Sequence, residues 1–296
     1  MTDTMLPEPT TRSAGAPARQ GSVFVALLRS PVGLVGLLML ATCLLATVLG
    51  PMLYPVDPME IAGRPLLPPG APDAPPLGTD EVGRDLLAGL LNGGRVTLLV
   101  GVAAAALSTF IGVVIGGLAG YLGGWIDSAL MRFTEFFQVL PILLFAMVLV
   151  TLFQPSVGML SFAIGIVAWP GTARITRAEF MRIRTLDYVR AARAIGIPSL
   201  RIMVRLVLPN ALPPIIVIST LIVGSAMLFE SGLSFLGLGA PGTVSWGTML
   251  GDNRDKLAIA WWTVTLPGAA IFLAVLSISL IGDGLNDALN PKRRKR

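Results

Sequence analysis

Long stretches without a charged residue are the feature that most restricts what this sequence can fold into. Five runs of 24 to 38 residues contain no Asp, Glu, Lys or Arg. A helix needs about 20 largely apolar residues to cross the roughly 30 Å hydrocarbon core of a bilayer. The longest run is interrupted at Gln154-Pro155 and therefore predicts two short spans. The sequence predicts six membrane spans, at 32–53, 97–121, 137–154, 157–173, 211–233 and 262–282.

The low charge content excludes most soluble protein classes. Charged residues make up 13% of the 296 residues, about half of the roughly 25% that is usual in soluble domains. The sequence contains no His, which excludes His-dependent catalytic triads and His–zinc sites. Its single cysteine, Cys43, excludes an intrachain disulfide and a CxxC metal or redox site.

Basic residues are distributed unevenly among the segments outside the predicted spans, and cytoplasmic segments normally carry the excess. With the N-terminus inside, 17 of the 22 Lys and Arg residues fall in four segments, 1–31, 122–136, 174–210 and 283–296. Five fall in the other two, 54–96 and 234–261. This distribution predicts an all-α polytopic membrane protein with both termini in the cytoplasm. The basic residues 292–296 are then a topology anchor at anionic lipid, not a nucleic-acid site.

The segment 174–210 is the longest predicted cytoplasmic loop and holds eight of the arginines. Asp187 is expected to cap a helix of about two turns, Gly196 to end it in the left-handed conformation, and Pro198 to prevent its continuation. A second helix is predicted at about 199–208, ending at Pro209. So short a helix is marginal alone and needs a partner surface. The candidate docking residues are Asp187, Tyr188, Arg190, Ala191, Ala192, Arg193, Gly196, Pro198, Leu208 and Pro209.

A second motif follows a proline-rich stretch on the predicted outer side. Residues 54–80 contain eight prolines, which favours an extended loop. The next residues are expected to become helical, with Thr79 as the cap. The residues that define this outer motif are Gly78, Thr79, Asp80, Gly83, Arg84 and Asp85.

These residues together resemble a known family. Arg190-Ala191-Ala192, then Gly196 and Leu206-Val207-Leu208-Pro209, look like the EAA loop of ABC importer permeases, with Arg190 in place of the Glu. The surrounding sequence is similar to the dipeptide/oligopeptide (and nickel) branch, and the outer motif is typical of its second, C-type, permease subunit. Three further stretches agree with that branch in the same order: 77–85, 233–239 with 245–247, and 282–291.

The resemblance implies the type I ABC importer permease fold, in the bacterial cytoplasmic (inner) membrane, and a non-catalytic role. It implies that the loop helix docks on a separate ATPase and that ATP and Mg are bound by those partners, so this chain needs no cofactor. The implied partners are a second homologous permease, two ATP-binding subunits and an extracytoplasmic binding protein. The implied divisions are a tail 1–31, a first helix 32–53, a loop 54–96, a permease domain 97–283 and a tail 284–296.

Polar residues within the predicted spans are candidates for a translocation path, because charge there is costly and often functional. These candidates are Glu230, Ser225 and Gln138. A structural hydrogen-bonding role is the alternative for each. Glycines at 112, 116, 120 and 124 lie on one helix face. They predict either a subunit or gating contact or close packing within the chain.

Other transport functions remain open at this point. The same machinery could import nickel, glycosides or other small solutes instead of di- or oligopeptides. An ion-coupled secondary transporter would show inverted repeats and buried ionisable residues, and the sequence shows neither.

Overall fold

The computed structural model describes residues 27–28 and 30–289, and this part of the chain is mainly helical, apart from the long loop at 54–85. Two isolated β-bridges occur in the segment before the second long helix. The predicted N-terminal tail up to residue 26 and the basic residues 292–296 lie outside the described residues.

Ten α-helices cover the described part of the chain. They are α1 (Pro31–Leu53), α2 (Leu86–Leu122), α3 (Gly124–Val139), α4 (Ile142–Phe153), α5 (Val157–Ile183), α6 (Asp187–Ala194), α7 (Ser199–Ile202), α8 (Leu208–Leu233), α9 (Trp246–Asn253) and α10 (Trp262–Leu289). Two π-helical segments, Met203–Val207 and Ser234–Leu238, adjoin α8. Five stretches are long and apolar enough to cross a membrane, and α3 with α4 makes a sixth if that bent pair is one span.

The bent pair differs from the predicted span 137–154. The two helices meet at an angle of 85°, and the bend falls at Leu140-Pro141, where Leu140 is extended with φ −72° and ψ 128°. A residue before proline avoids the helical region, which accounts for the break. The 12 residues of α4 span about 18 Å at 1.5 Å each. That is too short to cross a bilayer alone.

The second long helix begins eleven residues before its predicted start at 97, so the predicted boundary at 96/97 lies inside α2. Its cap is Asp85, whose Oδ1 accepts hydrogen bonds from Leu87 N at 2.8 Å and Ala88 N at 3.2 Å. The prediction that Thr79 caps this helix was wrong. The Thr79 hydroxyl is already used in the preceding loop, where it accepts from Leu67 N and donates to Arg64 O.

Helices α2 and α5 pack parallel to each other with their backbones in close contact. A Cβ added at Gly112 would lie 2.5 Å from Thr172 Cβ, and one at Gly120 would lie 2.5 Å from Arg177 O. A Cβ at Gly116 would collide with the carbonyl oxygen of Ala173. Three of the four spaced glycines therefore serve close packing within the chain; Gly124 has open space beside it.

The two ends of the helix bundle differ, and we name them by composition. The Pro-rich end carries residues 54–85, and the Arg-rich end carries residues 184–207. Helices α1 and α10 lie side by side, since a Cβ at Gly284 would be 2.7 Å from Gly33 Cα. The start of α1 and the end of α10 thus lie together at the Arg-rich end.

We expect Gly116→Ala to destabilise the protein by about 1–3 kcal/mol, because the added methyl overpacks a seam of backbone contacts. Gly158→Ala is the matched control, since it also lies on a long helix but a Cβ there meets nothing within 4 Å. Thermal unfolding of the purified protein in detergent measures both. Equal melting temperatures for the two variants would show that the seam is not tightly packed.

Candidate coupling surface

The helix α6 has the length that the sequence predicts. It runs for eight residues and is followed by Gly196 at φ +79°. The amide of Gly196 donates to Arg193 O and that of Ile197 to Ala192 O, each at 3.1 Å. This pair of bonds is the Schellman ending, in which a left-handed residue satisfies the last carbonyls of the helix. The predicted role of Gly196 is confirmed, and Pro198 follows it in an extended conformation.

The N-terminal cap differs from the prediction by one residue. Leu186 occupies the capping position and makes no side-chain cap, while Asp187 is the first helical residue. A carboxylate in the first turn still interacts favourably with the positive end of the helix. Asp187 therefore stabilises the start of α6 through its charge and not through a capping hydrogen bond.

Helix α6 has one face on the bundle and one face free. Val189 is fully buried and Ala192 is 7% exposed, and both belong to the buried apolar cluster that includes Phe180 and Ile202. Tyr188 and Ala191 lie on the exposed face. Both alanines were predicted to allow close approach of a partner protein. Ala191 is exposed and can contact a partner, whereas Ala192 packs within the chain.

The segment after α6 continues into the membrane helix and does not end at Pro209 as predicted. Helix α7 is followed by the π-helical segment Met203–Val207, and this leads directly into α8 at Leu208. Pro209 lies in the first turn of α8. The helix is continuous here, since Leu208 N donates to Met203 O across the π-helical segment. Proline has no N–H to donate, and it lies directly after this local departure from α-helical hydrogen bonding.

Exposed arginine and apolar side chains surround the free face of α6. Ile195 is 77% exposed, Leu200 70% and Val204 53%. The side chains of Arg190, Arg201 and Arg205 form no hydrogen bond or ion pair within the part of the chain that the structure describes. We call this set the coupling surface; it comprises Tyr188, Arg190, Ala191, Ile195, Leu200, Arg201, Val204 and Arg205.

A hydrogen bond and a cation–π contact join the corner between α2 and α3 to the segment that carries the coupling surface. Arg184 Nη1 donates to the carbonyl oxygen of Tyr121 at 3.0 Å. The guanidinium of Arg193 lies 5.4 Å from the centre of the Tyr121 ring, within the range of a cation–π interaction. The chain turns at Gly123, whose φ of +71° favours glycine.

A bidentate ion pair holds α3 against α5 next to this corner. Arg177 Nε and Nη2 donate to the two carboxylate oxygens of Asp127 at 2.5 and 2.7 Å. Sequence reasoning missed this pair and the Tyr121 contacts. Asp127 does end a long uncharged run, but its partner is 50 residues away and no local pattern identifies it.

The outer motif shapes the chain at the Pro-rich end. Gly78 and Gly83 have φ near +80° and +90° respectively, and a Cβ at either would collide with a backbone oxygen. Asp80 Oδ1 accepts from the amides of Val82 and Arg84 at 2.9 and 2.8 Å. These contacts fix the loop that leads to the cap at Asp85.

Asp85 also ties the start of α2 to the end of α1. Its Oδ2 accepts a hydrogen bond of 2.5 Å from the Tyr54 hydroxyl. This bond, together with partial burial and the carboxylate charge, raises the pKa of Tyr54 to about 12. The phenol therefore stays protonated and remains a donor throughout the physiological range of pH.

The structure does not bring the three path candidates together. Glu230 is fully buried and accepts a hydrogen bond of 2.8 Å from Ser234. Ser225 is exposed and bonds to the carbonyl of its own helix, at Leu221. Gln138 is exposed on α3, with its Oε1 3.4 Å from Arg174 Nη1. The contacts of Glu230 fit a structural role, which was the alternative to a path role.

The chain is similar to known proteins over most of its length. Residues 112–295 match the family model described as binding-protein-dependent transport system inner membrane component. The chain belongs to this family. It is a multi-pass permease subunit of an ABC importer in the bacterial inner membrane, and the family is a transport component, not a catalytic enzyme.

Full-length relatives agree with the family match. The chain is 42% identical to the di/tripeptide transport system permease protein DppC of Pseudomonas aeruginosa, over 87% of each chain. It is 39% identical to the dipeptide transport system permease protein DppC of Bacillus subtilis, over 91% of this chain and 84% of that one. It is 41% identical to the oligopeptide transport system permease protein OppC of Haemophilus influenzae, over 73% and 70%.

Replacing the Tyr121 ring tests whether the corner holds α6 in this permease. We expect Tyr121→Leu to raise amide hydrogen exchange across residues 187–197 about two- to fivefold, because it removes a cation–π contact worth about 0.5–1 kcal/mol. Tyr121→Phe is the matched control. The buried Tyr121 hydroxyl has no hydrogen-bond partner, so its loss leaves the ring contact intact. Equal exchange in the two variants would contradict the role of the ring.

Proposed function

We propose that this permease is the second, C-type, membrane subunit of an importer of di- or oligopeptides, driven by separate ATPase subunits that dock on its coupling surface. The coupling surface is the observation that carries this proposal. A capped helix of two turns presents unpaired arginines and exposed apolar side chains, while its other face packs on the bundle. Such a helix fits an apolar cleft with acidic groups at its rim.

The uneven distribution of basic residues supports a cytoplasmic position for the Arg-rich end. Since α1 begins and α10 ends there, both termini then lie in the cytoplasm. Counting α3 with α4 as one crossing gives six spans. The Pro-rich end with its outer motif then faces the substrate-binding protein.

Transport follows from the coupling surface moving with the ATPases. ATP binding draws two ATPases together, and the helix docked on each moves with it. The contacts of Arg184 and Arg193 with Tyr121 pass this displacement to α2. The Asp127–Arg177 ion pair passes it to α3. Helices packed this closely shift as units, so the bundle changes between inward- and outward-facing states.

The partners follow from this function. We propose a second homologous permease, two ATP-binding subunits, an extracytoplasmic substrate-binding protein and membrane lipid, with no nucleic acid. The sequence contains no GxxxxGK[ST] loop, the motif that cradles nucleotide phosphates. ATP and Mg therefore belong to the ATPase subunits, and this chain needs no cofactor.

Peptides are the favoured substrate because the relatives named above transport dipeptides, tripeptides or oligopeptides. Nickel, glycosides and other small solutes are the alternative cargo.

Uptake into proteoliposomes that contain the assembled transporter and its cognate binding protein distinguishes peptides from these alternatives. We expect a labelled dipeptide to accumulate with ATP, whereas accumulation of nickel or a glycoside alone would overturn the peptide assignment.

Docking is tested at Ala191, the small exposed residue on the free face of α6. We expect Ala191→Trp to lower ATP-driven uptake and ATPase stimulation about tenfold or more, because the indole holds the two surfaces apart. Ala191→Ser is the matched control and keeps both activities. Deletion of residues 187–200 should abolish co-purification of the ATPases. Wild-type uptake by Ala191→Trp at equal membrane levels would refute docking through this face.

A further inference from the structure

A polar cavity of about 800 Å³ lies between α3 and α5, apart from the coupling surface. Its lining residues recur at helical spacing on the facing sides of the two helices. Those of α3 are Met131, Thr134, Glu135 and Gln138, and those of α5 are Gly171, Arg174, Ile175, Arg177 and Ala178. A volume of this size is within the range of about 300–1,000 Å³ that small-molecule sites occupy.

The α5 wall of the cavity is open at Gly171. A Cβ added there would meet no atom within 4 Å, although the same helix packs tightly against α2 elsewhere. The absence of a side chain thus leaves space on the cavity side of α5 that no neighbouring element fills.

The charged side chains that line this cavity do not form ion pairs with one another. Arg177 is committed to the ion pair with Asp127. Arg174 makes one long hydrogen bond, at 3.4 Å to Gln138. Glu135 has no hydrogen bond or ion pair within residues 27–28 and 30–289. A carboxylate and a guanidinium therefore lie in one cavity, on facing helices, without pairing.

The aromatic side chains of α3 mark a different, apolar face of the helix. Phe133 stacks on Trp169 with ring centres 5.8 Å apart, and Phe137 lies 5.4 Å from the same ring. Charged side chains facing lipid are costly, so the face with Glu135 and Gln138 must meet water or a protein surface. A permease must contain a water-accessible path, and this face has the polarity that the lining of such a path requires.

We propose that this cavity is a substrate-contacting subsite of the translocation path, which takes the charged ends of a short zwitterionic peptide. Arg174, positioned by Gln138, faces the α-carboxylate, and Glu135 faces the α-ammonium group. The proposal rests on the peptide-import function above and deepens it. Two unpaired, opposite charges with space between them are complementary to a molecule that carries both charges at its ends.

Binding of peptide to the transporter without its binding protein tests the subsite. The complex of both permeases and both ATPases in nanodiscs is titrated with a radiolabelled dipeptide, against unlabelled dipeptide and its N-acetylated or C-amidated forms. In the wild type we expect each blocked form to compete about tenfold less well than the free dipeptide, the usual scale for losing a hydrogen-bonded charge.

Each variant should lose discrimination at one peptide end only. In Glu135→Gln, free and N-acetylated dipeptides should compete equally, while the amidated form stays weak. In Arg174→Gln, the free and amidated forms should become equal. Arg132→Gln is the matched control, because Arg132 is exposed on α3 but does not line the cavity. The control should retain both preferences of the wild type.

A steric variant provides a second test that needs no change of charge. Gly171→Leu fills the open wall and should weaken competition by a tripeptide with large side chains more than by diglycine. Wild-type preferences in all three cavity variants, or an equal loss for every peptide, would overturn the subsite.

Failure of the subsite and failure of the proposed function give different results. If the wild type imports no peptide with its binding protein, the peptide function itself is wrong. If it imports peptides but shows no binding in the nanodisc assay, only the subsite is wrong.

Discussion

Direct backbone contact between α2 and α5 is the constraint on which the rest of this permease depends. At Gly116 and Gly120 the α2 backbone meets backbone carbonyl oxygens of α5, and at Gly112 it meets the Thr172 side chain so closely that no residue with a Cβ fits. Packing of this kind has two consequences in a membrane, where burial from water does not drive helix association. It supplies the dispersion contacts that hold the pair together, and it prevents one helix from sliding independently of the other.

The seam also determines where the coupling surface lies. Helix α5 runs ten residues beyond its predicted end at 173, and α6 follows after three residues. Tyr121, at the end of α2, holds α6 in position through its contacts with Arg184 and Arg193. The same region of α5 holds α3 through Arg177 and Asp127. The polar cavity between α3 and α5 is therefore built on the unit that carries the coupling surface.

The sequence predicted those elements whose structure is determined by residues close together in the chain. The ending of α6 at Gly196 depends on one left-handed residue and a following proline, and both are visible in the sequence. The five long helices follow from apolar runs that only lipid accommodates. The short helix α6 could be located from residue types and their spacing, because that spacing reflects the structure of a single short helix.

Features that depend on distant partners could not be predicted in this way. Asp85 and not Thr79 caps α2 because the Thr79 hydroxyl is occupied by a loop that folds back on it. Pro209 does not end the helix, because the π-helical segment before it leads without interruption into α8. Whether the glycine series served a partner or the chain itself was settled only by the position of α5. The ion pair of Asp127 joins residues 50 apart, with no motif at either one.

The central claim is that α2, α5 and α6 move as one unit during transport, and a spin-label distance measures this directly. Labels at Leu118 on α2 and Ile195 after α6, both on exposed positions, are placed in a Cys43→Ser background within the complete transporter. A second label pair across the two ATPases reports their closure. If the three helices move together, the 118–195 distance stays unchanged on ATP binding while the ATPase pair closes. A 118–195 distance that shifts together with closure would contradict it.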